Sequence, residues 1–142
     1  MLIQASSTLE IRAPGQGLHE ITNQVSDWLD SQRIESGLLT VFCAHTSASL
    51  VIQENAAPAA RRDLEQFFER VAPEDPSLYT HNDEGPDDMP AHIRSALTQV
   101  QLSIPVNGGR MVLGTWQGIF LFEHRPGAPG RHIALHIIGD AA

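Results

Sequence analysis

From Leu2 to Arg12 apolar and polar residues roughly alternate, as on a strand with one wet face, and Pro14-Gly15-Gln16-Gly17 closes the segment. Leu18, Ile21, Val25, Trp28 and Leu29 then recur at helical spacing. That predicts an amphipathic helix over 18–35, with Gly37 just beyond its end. Leu38 to Ala44 is a short apolar run suited to a buried strand, and Ser49 to Gln53 reads as its antiparallel neighbour. Asn55 is placed to cap a second helix whose apolar stripe is Leu64, Phe67, Phe68 and Val71, and which Pro73 stops. Pro90 suits the first turn of a third helix, Ala91 to about Gln99. The remainder reads as strands: Leu102 to Val106, a turn at Asn107-Gly108-Gly109, Arg110 to Gly114, Trp116 to His124, and Arg131 to Gly139 after a loop from Pro126 to Gly130. In Trp116 to His124 the alternation sets Ile119, Leu121 and Glu123 against Phe120, Phe122 and His124. In the last strand Ile133, Leu135 and Ile137 share a face, and His132 and His136 take the other. About seven strands and three helices in one domain, 1–142, make the predicted class α+β.

Composition narrows the chemistry. A chain of 142 residues is long enough for one core without a disulfide or metal staple. All nine basic residues are arginines, so lysine Schiff bases, pyridoxal-phosphate anchoring and the P-loop lysine are excluded. A single cysteine, Cys43, makes no internal disulfide and no cysteine-rich zinc knot. The net charge of −8 argues against binding nucleic acid through a basic surface. No basic n-region precedes an apolar run, and no stretch reaches the roughly 18 apolar residues of a membrane span. The expectation is a soluble, cytoplasmic protein with no membrane partner.

Histidine is the excess: seven, at 19, 45, 81, 92, 124, 132 and 136. His45 opens the hydroxyl-rich joint His45-Thr46-Ser47-Ala48-Ser49. Between His81 and His92, the residues Asp83, Glu84, Asp87 and Asp88 put four carboxylates into six positions. Like charges that close raise one another's pKa unless a cation or hydrogen-bond donors compensate. Imidazole with carboxylate suits zinc or another first-row ion, and magnesium where carboxylates dominate. An acidic, proline-rich loop is also often simply solvated, and neither the EF-hand ladder nor the HExxH spacing is present. Asp88 and His92 are four apart, so both can face one pocket at the start of the third helix. Leu113-Gly114-Thr115-Trp116-Gln117-Gly118-Ile119 sets two glycines around a hydroxyl, an indole and an amide, fit for a bulge or a close approach to a ligand. A serine nucleophile at Ser47 or Ser49 lacks the GxSxG elbow.

Taken together, His45-Thr46-Ser47-Ala48-Ser49-Leu50, Gln53-Glu54-Asn55-Ala56, Tyr79-Thr80-His81-Asn82, Asp87-Asp88-Met89-Pro90-Ala91-His92-Ile93, Leu113 to Ile119 and Glu123-His124-Arg125 make the chain resemble the YjbQ-like proteins. That family is described as secondary thiamine-phosphate synthases. The resemblance runs in order over roughly 40–139, and it departs at Ala57, where the family commonly has an aspartate. It implies a β-sandwich-like α+β fold assembled as a homotrimer, with a histidine-lined site holding a metal or an anion, the metal a divalent ion, zinc or magnesium. Carried over by position, Asp88 and His92 are the catalytic candidates. His81, His92, His124 and His45 are the metal ligands. Ser47, Asn55, Thr115 and Gln117 line the pocket, and Arg125 and Arg131 meet anionic groups of a small phosphorylated metabolite. The implied reaction couples a hydroxymethylpyrimidine pyrophosphate to a thiazole phosphate and releases pyrophosphate. The same residues would also serve a metal-dependent phosphohydrolase or a non-catalytic trimeric metal- or anion-binding module.

Overall fold

The computed structural model describes residues 1–142. Eight strands and three helices follow in the order β1 (Leu2–Ile11), β2 (Gly17–Glu20), α1 (Thr22–Gln32), β3 (Ile34–Cys43), β4 (Ala48–Glu54), α2 (Pro58–Val71), α3 (Asp88–Leu97), β5 (Gln101–Asn107), β6 (Arg110–Met111), β7 (Gln117–Glu123) and β8 (Arg131–Ala141). They form a five-stranded sheet, β1-β8-β3-β5-β6, and a three-stranded sheet, β2-β7-β4. Every pairing is antiparallel, so the fold is α+β with two facing sheets. No helix is long and apolar enough to cross a membrane.

The core lies between the sheets. Leu39, Val41, Ile104, Ile133 and Leu135 of the large sheet meet Leu50, Ile119 and Leu121 of the small one. The small sheet is covered on its other face too. There Leu18, Phe120 and Phe122 pack with Leu64 and Phe68 of α2. That double cover explains why β7 is buried at nearly every position and why its sequence, Ile119-Phe120-Leu121-Phe122, is apolar on both faces. Polar Glu123 at its end and His124 just beyond must therefore find partners inside the protein.

Three boundaries differ from the periodicity. The helix predicted over 18–35 gives up its first turn, because Leu18 pairs with Phe122 in β2–β7 and α1 starts only at Thr22. Arg33, left-handed with φ 55°, ends α1, so Gly37 is not a helix stop but an interior residue of β3. Gly37 faces Gly139, and a Cβ on it would lie 2.3 Å from the Ile138 carbonyl oxygen. Only two glycines let β3 and β8 approach this closely. Asn55 does not cap α2; that helix opens on Pro58, a first-turn proline whose absent N–H costs nothing. Arg94 ties α3 to the end of α2, with Nη2 donating to the Ala72 carbonyl at 2.7 Å and Nε to Phe68 O at 3.3 Å.

Candidate functional site

The proline-rich stretch before α3 is a folded arm. Asp75 Oδ1 accepts the Ser77 N–H at 3.0 Å, Tyr79 Oη donates to the Pro73 carbonyl at 2.8 Å, and Asn82 Nδ2 donates to Tyr79 O at 2.8 Å. Gly85, at φ 102°, takes a conformation that residues with a Cβ rarely adopt, and the Asp88 N–H returns to its carbonyl at 3.3 Å. That turn lays His81 over the start of α3.

Asp88 is the first residue of α3, not the residue before it, and His92 stands one turn on. The Asp88 side chain is only 2% exposed. Its Oδ2 lies 2.9 Å from His81 Nε2 and 3.1 Å from His92 Nε2, and its Oδ1 lies 3.3 Å from Arg125 Nη1. Burial raises the Asp88 pKa, but the hydrogen bond from His81 and the charges of His92 and Arg125 outweigh it and hold the carboxyl below its ordinary range. Arg125 also gives Nε to Asp87 Oδ2 at 2.9 Å and Nη2 to Glu84 O at 3.0 Å. Its guanidinium clamps the acidic segment and is spent on protein acceptors, so it is no free anion clamp.

His92 Nδ1 faces the Thr46 carbonyl at 3.1 Å. A carbonyl there holds a proton on Nδ1 and aims Nε2 inward at Asp88 Oδ2, so that loss of the Nε2 proton leaves that nitrogen able to bind a metal. Ligating atoms of His81, Glu84, Asp88 and His92 all lie within 4.8 Å of one another. Two nitrogens and two carboxylate oxygens fit zinc or a similar first-row ion. Beside His92 opens a depression of about 340 Å³, bordered by His45, Thr46, Ala96 and Val100.

The other candidates lie elsewhere. His124 is 1% exposed, with Nε2 2.9 Å from Ser49 Oγ and Nδ1 lacking any hydrogen-bond partner. Burial, with the charges of Arg94 and Arg131, pushes its pKa down to about 3. It is a neutral core imidazole outside the cluster. His45 borders the same depression as His92, yet its Nε2 accepts the His132 N–H at 2.7 Å and its ring stacks on His132. Its lone pair is used, so it is not a ligand in this arrangement. Ser47 and Arg131 bind each other, with Nη1 of the buried Arg131 donating to Ser47 Oγ at 3.0 Å. Asn55 donates Nδ2 to Glu20 Oε2 at 3.1 Å, and Gln117 accepts the Gly114 N–H at 2.7 Å. Thr115 precedes Gln117 at the start of β7, six residues or roughly 20 Å from Glu123 at its other end. Those three do not line the histidine cluster. Cys43 is buried, its thiol pushed up to about 11 by desolvation, and is no nucleophile.

Sequence reasoning picked out no particular member of the carboxylate run beside Asp88, and the Gly85 turn places Glu84 in the cluster. It also passed over Glu123, whose signal was visible: a lone acid directly after the apolar run from Ile119 to Phe122.

The profile of UPF0047 protein YjbQ-like matches residues 7–140. A UPF0047 protein of Synechocystis sp. is 47% identical over 137 residues, covering 96% of this chain and 93% of that protein. The UPF0047 protein YjbQ of Escherichia coli O157:H7 is 43% identical over 94% of this chain and 96% of its own length. The crystal structure of a YbjQ-like protein of unknown function from Sulfolobus solfataricus P2 superposes with a TM-score of 0.90 at 26% identity, covering 99% of this chain and 100% of that one. A YjbQ/UPF0047 structure from Clostridium acetobutylicum gives 0.80 at 32% identity over 94% and 98%. With sequence matched almost end to end and the same two-sheet scaffold, the chain belongs to the UPF0047 YjbQ-like family.

Proposed function

We propose that this chain is a cytoplasmic homotrimeric transferase of thiamine-phosphate-synthase type, joining a hydroxymethylpyrimidine pyrophosphate to a thiazole phosphate with release of pyrophosphate. The observation that carries the reading is the convergence of His81 Nε2 and His92 Nε2 on one oxygen of buried Asp88, with Arg125 on the other. His81, Asp88 and His92 would hold a divalent cation, which would supply charge neutralisation for a departing pyrophosphate. Asp88 orients both imidazoles, and Arg125 keeps Asp88 ionised and in place. Thr46 holds His92 in the tautomer that binds a cation, and the depression beside His92 gives room for the organic part of the substrate. Leu38, Phe42 and Ile138, exposed together on the outer face of the large sheet, support burial between copies.

A second reading, hydrolysis of a small phosphorylated metabolite, is favoured by one observation. Asn55, Thr115 and Gln117, expected to help line the pocket, sit at the far end of β7. Purified protein incubated with both halves and zinc or magnesium, with products resolved by mass spectrometry, separates the readings. Coupled product that disappears in Asp88→Asn supports the synthase, whereas phosphate released from one half without coupling supports the hydrolase. Tight metal uptake with neither product identifies a binding module in which Glu84 completes a closed four-ligand site.

A further inference from the structure

Glu123 and Arg131 are buried and charged, and neither belongs to the cluster. Arg131 donates Nε to Glu123 Oε1 at 2.8 Å and Nη2 to Glu123 Oε2. It also reaches past its partner, with Nη1 on Ser47 Oγ and Nη2 on the Ser47 carbonyl, each at 3.0 Å. Glu123 Oε2 in turn accepts the backbone N–H of Arg125 at 3.1 Å. The next residue of β8, His132, gives its N–H to His45 Nε2 at 2.7 Å. The start of β8 therefore grips the chain on both sides of Thr46, whose carbonyl holds His92 Nδ1.

A buried ion pair is seldom the cheapest way to stabilise a core, since apolar residues of equal volume usually do as well. What apolar residues lack is the ability to hold two backbone segments in one fixed hydrogen-bonded relation. We infer that Glu123–Arg131 is a positioning strut for the candidate site. Through Ser47 it sets the Thr46 carbonyl and so the His92 ring; through the Arg125 N–H it sets the guanidinium that faces Asp88. The consequence for cation affinity rests on the metal reading above, but the alignment of His92 belongs to the chain itself.

Arg131→Lys keeps a positive charge beside Glu123 and loses the planar fork that reaches both Ser47 acceptors. With cobalt(II) as the probe, the folded variant should bind roughly 10–100-fold more weakly than wild type, with an altered visible band. In metal-free protein, long-range ¹H–¹⁵N spectra should show the His92 ring nitrogens shifted once the Thr46 bond is released. Unchanged ring-nitrogen shifts overturn the strut whatever the cobalt(II) affinity does, and wild-type cobalt(II) affinity in the variant overturns it as well. If wild-type protein takes up no cobalt(II), the metal reading fails and the nitrogen shifts alone decide the strut. Should Arg131→Lys not fold, Ser47→Ala removes only the side-chain acceptor. It should shift the same nitrogens and weaken cobalt(II) binding several-fold, and an unshifted His92 in that variant overturns the strut equally.

Discussion

Acidification should destabilise this protein through His124, a residue that takes no part in the cluster. In the unfolded chain the imidazole titrates at its ordinary 6.5, whereas in the fold burial holds it at about 3. Above pH 6.5 both states are neutral there, and His124 contributes nothing to the pH dependence. Between the two values the unfolded state binds the proton and the folded state does not, so stability falls as pH falls. At pH 4.5, two units below the unfolded value, the loss is about 2.7 kcal/mol at about 1.36 kcal/mol per unit. His124→Gln keeps a hydrogen-bonding amide near Ser49 Oγ and removes the titration. Urea unfolding of both proteins from pH 7.5 to 4.5 isolates the effect, because every other titrating group is common to the two. The stability of the variant relative to wild type should rise by about 2–3 kcal/mol over that interval, whatever the offset at pH 7.5. Parallel curves would refute the reasoning, since they would mean that His124 takes its proton in the folded state. His124→Gln should also retain cobalt(II) binding; a loss equal to that of a cluster variant would return His124 to the ligand set.

Other outcomes follow from the same geometry. His92→Ala should abolish stoichiometric metal uptake while leaving the thermal midpoint within a few degrees, because the ring, 32% exposed, lies at the edge of the core; undiminished metal content would remove it as a ligand. Asp88→Asn should keep the fold but lower the rate by roughly 100-fold, as the imidazoles lose their orienting charge; full activity in a steady-state assay would take Asp88 out of the site. Gly37→Ala should cost about 3 kcal/mol, because the new Cβ meets main chain at 2.3 Å from Ile138 O and 2.9 Å from Gly139 Cα. Calorimetry should then show a midpoint lower by roughly 6–12 °C, and a change under about 2 °C would mean that β3 and β8 separate easily.

Much of the site was legible where its information is local. Asp88 and His92 are four apart, and a helix of any length puts such a pair on one face. His81 was legible as a histidine beside a carboxylate run, although its arrival at Asp88 depends on the turn that Gly85 permits. His45 and His124 carried the same residue-type signal and were ligand candidates on the resemblance. Their exclusion turns on partners far along the chain, the His132 N–H for one and Ser49 for the other. Leu18 shows the same limit within the fold, since it fits the helical stripe and the β2 register equally well. Pairing with Phe122 decides between them.

The sequence by itself determined the order of the three helices and of seven of the eight strands, the alternating faces of β8, the lysine-free chemistry and the Asp88–His92 pair; β2 it read as helix. Each follows from residue type or from spacing within one element. Only the tertiary structure decided which histidines meet, that both faces of β7 are covered, and that Arg131 is spent on Glu123 and Ser47 and not on a substrate. Spacing specifies which face a side chain takes, but not what lies opposite that face. That is set by strand register and layer packing between residues tens of positions apart, through burial and hydrogen bonding that no local pattern encodes.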